Sequence, residues 1–346
     1  MVTLEDIARQ AGVSHSTVSR ALADSPLVNP ETKKRIQQLA MDAGYQVNQV
    51  ARNLKVRSTS TIGLVVPEVS NPFYPRIVQL IADQVREAGF NLLLHLSGAD
   101  QQSEVASLTT LRNHRADGIL LVTGENGLVA RDLVNSMVSS GQPIVLMGWV
   151  DDADHLDMVT GNDASGGYEI GRHLIELGHK RIAVIGKPPH RGIYDRMIGF
   201  SRALSEAGLD LPDELVLSAR NDEEVGRDVR QLVAIENPPT AIFAYQDSLA
   251  ALVFKHLGDA GVSIASEMTV VGFDDLDLAT YLSPHLTTVG KHIEPLASEF
   301  VRLLIERIRG GDPDAPSQHV VISPQLVVRG SSAPPRKGSL TLRNPL

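Results

Sequence analysis

Hydrophobic positions follow two rhythms along this chain. Up to residue 57 they return every three or four residues. From Thr61 onward, short continuous apolar runs alternate with helix-period stretches. In the first segment, Ile7, Ala8, Val13, Val18 and Leu22 fall where two short crossed helices would share one small core. Thr3-Leu4-Glu5-Asp6-Ile7-Ala8 opens the first helix, Ala11-Gly12-Val13 turns it, and Ser14 through Leu22 forms the second. Gly12 supplies the positive φ of a tight turn, and Ser14 is a good N-cap. A third helix starts at Asn29-Pro30-Glu31-Thr32, with an N-cap, a proline at the first helical position and an acid in the first turn. It carries Ile36, Leu39, Ala40 and Ala43 at helical spacing and ends at Gly44. Val47, Val50, Ala51 and Leu54 mark a further helical stretch of only about two turns, marginal in water without a partner.

The body reads differently. TIGLVVPEV, NLLLHLS, GILLVT and PIVLMG are separated by helical stretches, the first over about residues 74–88. After Gly161 the pattern restarts: a helix at 165–177, RIAVIG, a helix at 194–207, ELVLSA, a helix at 223–236, TAIFAY, a helix at 247–260, and TVVGF. A last helix, about 293–309, and the strands HVVIS and QLVVR follow the two series. Apolar runs separated by helices predict parallel sheets covered on both faces, here two doubly wound subdomains. Ligands of such sheets bind outside the carboxyl ends of the strands, so facing sheets place a pocket in the cleft between them.

Charge sharpens the division. The 346 residues carry a net −9, yet residues 1–57 hold eight Lys and Arg against five acids, a net +3 that leaves −12 on the remainder. A basic head on an acidic body confines phosphate affinity to one end and makes it salt-sensitive. Cysteine is absent, which excludes disulfides, thiol catalysis and cysteine-bound zinc. No apolar run approaches the roughly 20 residues of a membrane span, and MVTLEDIARQ has no signal-peptide character. A cytoplasmic chain is the simplest expectation. Neither a Walker-type GxxxxGK[ST], a Gly-rich dinucleotide loop nor HExxH occurs, so no catalytic residue, cofactor or metal is assigned. The eleven histidines lack metal-ligand spacing; His173 and His179 flank one helix end and read as surface residues.

The first two helices form a helix-turn-helix whose second member presents His15, Ser16, Thr17, Ser19 and Arg20 as its polar face, as major-groove reading requires. His15, Ser16 and Arg20 are the candidates for base edges, Arg20 being suited to guanine. Ser14, Thr17, Ser19 and Asn29 suit phosphates, and Lys33, Lys34 and Arg35 serve equally well as phosphate contacts or a solvated cluster. VTLEDIARQAGVSHSTVSRAL, NPETKKRI, GYQVNQVARNLK and STIGLVVPEVSNPFY together resemble the LacI/GalR family of transcriptional regulators, and the likeness runs to about Arg329. The resemblance implies an α-helical headpiece (1–46), a hinge helix (47–57), and a periplasmic-binding-protein-like α/β core (58–330). A flexible tail (331–346) would follow. Within the core it implies an N-subdomain of about 60–160 plus 292–322 and a C-subdomain of about 163–290 plus 323–330.

What the resemblance further implies is a homodimer on a pseudo-palindromic operator. Thr3, Tyr45, Asn48 and Arg52 would join the DNA-contacting set, and paired hinges would insert Leu54, followed by Lys55, into the central minor-groove step. It places the effector among Phe73, Arg196, Gln246 and Asp274, with Trp149 beside it, and Asn71, Tyr74 and Asn162 join the set by standing at strand ends; such paired donors, acceptors and aromatic faces suit a carbohydrate. Asp247 and Asp275 read as structural. The chain departs from the common pattern in Asn162-Asp163 for Asp-Asn, Gln246 for Asn, and Gly148 for Asp. These departures predict a pocket with less acceptor charge and more room, hence a disaccharide or glucoside such as sucrose, acting as inducer. A purine-type corepressor is the alternative. A transporter's solute-binding protein would lack the head, and a sugar-modifying enzyme would need a motif not found here. The tail lacks leucine heptads, so a dimer is the expected assembly.

Overall fold

The computed structural model describes residues 2–22, 24–45, 58–98, 100–123, 130–148, 150, 153, 155–186, 191–219, 221–310, 315–338 and 340. The expected hinge helix, with Asn48, Arg52, Leu54 and Lys55, and Trp149 lie outside them. The chain divides into two compact units, residues 1–59 and 60–346.

In the first unit, α1 (Leu4–Ala11), α2 (His15–Leu22) and α3 (Pro30–Asp42) enclose Ile7, Ala8, Ala11, Val18, Ala21, Val28, Ile36 and Ala40. Each helix begins where its cap residue stands. The Thr3 hydroxyl accepts from the Asp6 amide at 3.2 Å while Asp6 accepts from the Thr3 amide at 3.0 Å, a capping box. Ser14 Oγ accepts from the Thr17 amide at 3.2 Å, and Asn29 Oδ1 from that of Glu31 at 2.9 Å. Gly12 closes α1 with φ +65°, a turn any side chain would strain.

The second unit holds two parallel sheets. The first contains β1 (Thr61–Val66), β2 (Asn91–Leu96), β3 (Gly118–Val122), β4 (Ile144–Met147), β5 (Asp157–Gly161) and β11 (His319–Ile322) in the order β11-β5-β4-β3-β1-β2. Covering helices are α4 (Phe73–Glu87), α5 (Gln101–Asn113), α6 (Arg131–Ser139) and α11 (Ile293–Ile308). The second sheet holds β6 (Ile182–Ile185), β7 (Val216–Leu217), β8 (Ala241–Ala244) and β9 (Thr269–Val271), ordered β7-β6-β8-β9. Its helices are α7 (Asp163–Glu176), α8 (Arg191–Glu206), α9 (Asp222–Ala234) and α10 (Asp247–Asp259). The chain returns through β10 (Thr288–Gly290), which pairs antiparallel with β12 (Gln325–Val327) and is bridged to β9 through Val271 and Thr287. Buried on both faces, the central strands are unbroken apolar runs.

Two strands escape the apolar pattern. β5 (DMVTG) opens on Asp157, whose buried carboxylate receives Arg307 Nε at 2.8 Å and Nη2 at 3.0 Å; the ion pair replaces the missing hydrophobe. β10 is the three residues Thr288-Val289-Gly290, too short for a periodicity to register. ELVLSA, expected as a full strand, yields a 3-10 turn at Asp213–Leu215 and the two residues of β7.

The tail, expected to be flexible from 331, is anchored from Ser331 to Arg336. Ser331 is fully buried, donating to Val270 O at 2.6 Å and accepting from the Thr287 amide at 2.8 Å. Arg336 donates to the carbonyls of Pro238, Pro239 and Glu267. The two histidines read as surface residues serve this anchor: His179, 1% exposed, hydrogen-bonds Thr240 and Ala333 O, and His173 bonds Ser332. Burial lowers both their pKa values. Polar backbone in a Ser/Pro-rich segment finds partners along the sheet edge, which composition does not reveal.

Candidate functional site

α2 presents His15, Ser16 and Arg20 exposed on one face, with Thr17 and Ser19 half-buried beside them. Ser14 Oγ hydrogen-bonds both Ser16 and Thr17 hydroxyls at 2.8 Å, tying the start of the helix into one hydroxyl cluster. Val18 and Ala21 on the opposite face are fully buried, so the polar face cannot rotate inward. The basic run divides: Lys33 Nζ donates to Asp24 at 2.7 Å and Arg35 to Ala11 O at 2.7 Å, whereas Lys34 is exposed. Tyr45 packs partly against the headpiece core. Thr3 and Asn29 use their side chains as helix caps.

The second cluster of polar side chains sits at the carboxyl ends of the C-terminal sheet's strands. It depends on α7 and α8 approaching unusually closely. A Cβ on Gly199 would lie 1.8 Å from Ala164 O, and one on Gly167 would lie 1.9 Å from Arg196 O. These glycines let the helices touch backbone to backbone, which carries Arg196 of α8 against Asp163 at the start of α7. Arg196, 3% exposed, donates Nε to Asp163 Oδ2 at 3.0 Å, Nη2 to Asp274 Oδ1 at 3.2 Å, and Nη1 to Tyr245 O. Its guanidinium stacks 3.8 Å from the Phe273 ring centroid. Burial opposes that positive charge, but the carboxylates of Asp163 and Asp274 outweigh it and hold the guanidinium above the ordinary arginine range.

Asp274 and Asp275 follow β9 with φ +111° and +51°, a sharp turn that keeps both carboxylates at the strand end. Asp275 accepts from Arg329 at 2.7 Å. Asp247, fully buried, accepts from the Leu276 amide at 2.8 Å and the Thr288 hydroxyl at 2.6 Å. Its burial, with the Asp274 carboxylate nearby, pushes its pKa up to about 8 despite those hydrogen bonds.

The N-subdomain reaches this cluster from the first turn of α4. Phe73 lies edge-on to Tyr74, and Lys291 Nζ stands 5.0 Å from the Phe73 ring centroid. Arg76, on the same helix, donates to Glu294 at 2.9 Å and to Asp275 O at 3.4 Å, linking the two subdomains. Of the residues expected at the effector site, Arg196 and Asp274 touch directly, and Phe73 joins them through Lys291. Asn71, Asn162 and Gln246 use side-chain oxygens locally, accepting from the Phe73 amide, the Ser165 amide and the Ser248 hydroxyl. Tyr74 packs against the N-subdomain core.

Two expectations about the pocket change. The carboxylate thought lost in Asn162-Asp163 is moved by one residue: Asn162 caps α7 and Asp163 reaches Arg196. Gly148 is not there to make room. Its φ is +115°, and a Cβ would meet Thr123 Oγ1 at 2.2 Å, so the backbone itself demands glycine. Asp163, Phe273, Lys291 and Arg76 were missed as site residues. The first two were signalled by standing just after strands; Lys291 follows the unrecognised β10, and nothing in the sequence marks Arg76.

No group of His, Asp or Glu suited to a metal occurs among the described residues, and no helix there is long and apolar enough to cross a membrane. Residues 3–48 match the model of bacterial regulatory proteins of the lacI family, and residues 172–332 match that of a periplasmic binding protein-like domain. The chain is 32% identical over 333 residues to the HTH-type transcriptional regulator DegA of Bacillus subtilis, covering 96% of this chain and 98% of that protein. It is equally similar, with the same coverage, to the ribose operon repressor of Haemophilus influenzae. Among solved structures, a complex of the transcriptional regulator CelR with cellobiose aligns over 96% of this chain and 100% of that one, at 28% identity and a TM-score of 0.70.

Proposed function

Because this chain belongs to the lacI family of bacterial regulatory proteins and is a DNA-binding transcriptional regulator rather than an enzyme, we propose that it is a repressor released from its operator by a small saccharide. Two copies place their α2 helices in successive major grooves of a pseudo-palindromic site in cytoplasmic DNA. His15, Ser16 and Arg20 read bases there. Ser14, Thr17, Ser19 and Asn29 meet phosphates, and Thr3 and Tyr45 complete the headpiece's contacting set. Paired hinge helices contribute Asn48, Arg52, Leu54 and Lys55 to the minor groove between.

The observation that carries the effector reading is the Arg196–Asp163–Asp274 cluster at the strand ends, flanked by the Phe73 and Phe273 rings. Charged donors and acceptors fixed side by side match vicinal hydroxyls, and aromatic faces match the C–H side of a pyranose. The effector in this reading is a disaccharide or glucoside such as sucrose. Support for a disaccharide comes from the cellobiose complex of a relative 28% identical. No cofactor is required. Ligand-induced change in the subdomain angle alters the spacing of the hinges. A coupling of about 1–3 kcal/mol, roughly 5–150-fold in operator affinity, is the usual range.

The test is a thermal-shift and calorimetric screen against mono- and disaccharides, aryl glucosides and purines, followed by operator binding with each hit. A saccharide that stabilises the protein and weakens operator binding is expected. A purine hit, or a ligand that tightens binding, overturns the reading in favour of a corepressor.

A further inference from the structure

Lys291 is the outermost member of the cleft cluster, and its surroundings form a complete receptor for an ammonium group. Its Nζ lies 3.4 Å from Asp274 Oδ1 and 3.6 Å from Asp163 Oδ2, the two oxygens that Arg196 also holds. It stands 5.0 Å from the Phe73 ring centroid and 5.8 Å from that of Phe273. Those oxygen distances exceed the 2.7–3.2 Å range of a well-formed hydrogen bond. Charge and aromatic faces therefore hold the lysine, rather than tight bonding. Exposure rises outward through the cluster, from 3% at Arg196 and 4% at Asp274 to 10% at Asp163 and 16% at Lys291.

We propose that Lys291 sets the charge class of the effector. Its ammonium fills a cage of Asp163, Asp274, Phe73 and Phe273, so the cleft accepts an uncharged polyol and turns away phosphorylated, acidic and amine-bearing analogues. The inference rests on the saccharide reading for its ligand and on the geometry alone for the cage.

Arg196 and Lys291 balance Asp163 and Asp274 in a largely buried setting. The other described charged groups against this cluster have their own partners. Asp275 is paired with Arg329, Arg76 with Glu294, and Asp247 is bonded to Thr288 and Leu276. An anionic ligand could engage Lys291 only by drawing it off the two carboxylates, leaving both to Arg196. A cationic ligand would meet Lys291 in the place it needs. A hydroxyl donates and accepts without disturbing the balance.

Ethylammonium chloride serves as a probe of the cage, with sodium chloride at equal ionic strength as control. Lys291→Ala empties the cage and leaves it one negative charge in excess, so this variant should bind ethylammonium at least about tenfold more tightly than the parent, read by thermal shift and calorimetry. Lys291→Gln keeps most of the stem, loses only the charge, and should gain in the same direction by less. It carries the test if the alanine variant does not fold. The parent protein should gain nothing from ethylammonium or from inorganic phosphate beyond the salt control. Equal ethylammonium binding in parent and variants would remove the cage, and phosphate-dependent stabilisation lost on Lys291→Gln would make Lys291 an anion receptor. Either result overturns this proposal and leaves the saccharide reading standing. A purine hit in the ligand screen overturns the saccharide reading, and the polyol half of this proposal with it, and leaves the cage standing.

Discussion

Replacing Arg196 by methionine removes a cation that hydrogen-bonds both buried carboxylates, and its cost follows from what is stranded. Asp163 and Asp274 lose donors at 3.0 and 3.2 Å, Tyr245 O loses one as well, and Phe273 loses a stacked guanidinium at 3.8 Å. Removing one partner of a buried ion pair costs about 3–5 kcal/mol, because the other partner stays buried without compensation. Lys291, within 3.6 Å of both carboxylates, mitigates the loss, which places the expectation near 3 kcal/mol. Adding Asp274→Asn should recover part of it. Lys291 and Asp163 then balance, and asparagine tolerates the positive φ at 274 better than most residues. The double variant should fall short of the sum of the single losses by about 1–3 kcal/mol. Trp149 is the chain's only tryptophan and lies in the second unit, so its fluorescence during urea unfolding reports the core without the headpiece. An Arg196→Met loss below about 1 kcal/mol, or strict additivity with Asp274→Asn, would refute the coupled cluster.

Leu54→Ala should weaken operator binding at least about tenfold by removing a wedge into the central base step, with calorimetric effector binding unchanged; an unaltered operator affinity removes the wedge. Asp247, raised from 3.8 to about 8, binds more protons folded than unfolded between those values. Its stabilising contribution is therefore complete below about pH 4 and falls as pH rises towards 8, by at most about 1.4 kcal/mol per pH unit. Asp247→Asn should flatten that slope in urea unfolding across pH 5–8, and an unchanged slope assigns it elsewhere. Gly199→Ala sets a Cβ 1.8 Å from Ala164 O and should cost about 3 kcal/mol, the upper end for overpacking, by forcing α7 and α8 apart; a loss under about 1 kcal/mol in the same unfolding assay refutes the close contact. A chain ended after Gly330 should melt several degrees below one ended after Gly338, since Ser331 and Arg336 tie the tail to the C-terminal sheet; equal melting temperatures would mean the anchor adds nothing.

The elements legible in the sequence are those whose stability is local or purely apolar. The headpiece helices start at Thr3, Ser14 and Asn29 because a side-chain oxygen there satisfies a helix amide two or three residues on, a relation readable by eye. The central strands are legible because burial on both faces leaves only aliphatics. β5 and the anchored tail escape such a reading because polar partners 44 to 150 residues distant hold them: Asp157 by Arg307, Ser331 by Val270 and Thr287. A periodicity sees neither.

The cleft shows the same limit more sharply. Arg196 and Asp274 are legible because they stand beside recognisable strand ends; Asp163 is masked by its neighbour, because Asn162 occupies the position where an acid is common. In the fold, the side chain at 162 is spent on the cap of α7, and the next residue, one step around the helix, faces Arg196. The glycines that permit this, Gly167 and Gly199, look unremarkable in sequence, since their meaning lies in a backbone carbonyl supplied by another helix. Lys291 is harder still: it follows a three-residue strand, and its role is defined by Phe73 on the other subdomain. Thus the chemistry that selects an effector is set by which subdomain face meets which, and a one-residue shift of a carboxylate preserves the cluster's charge while changing every residue number attached to it.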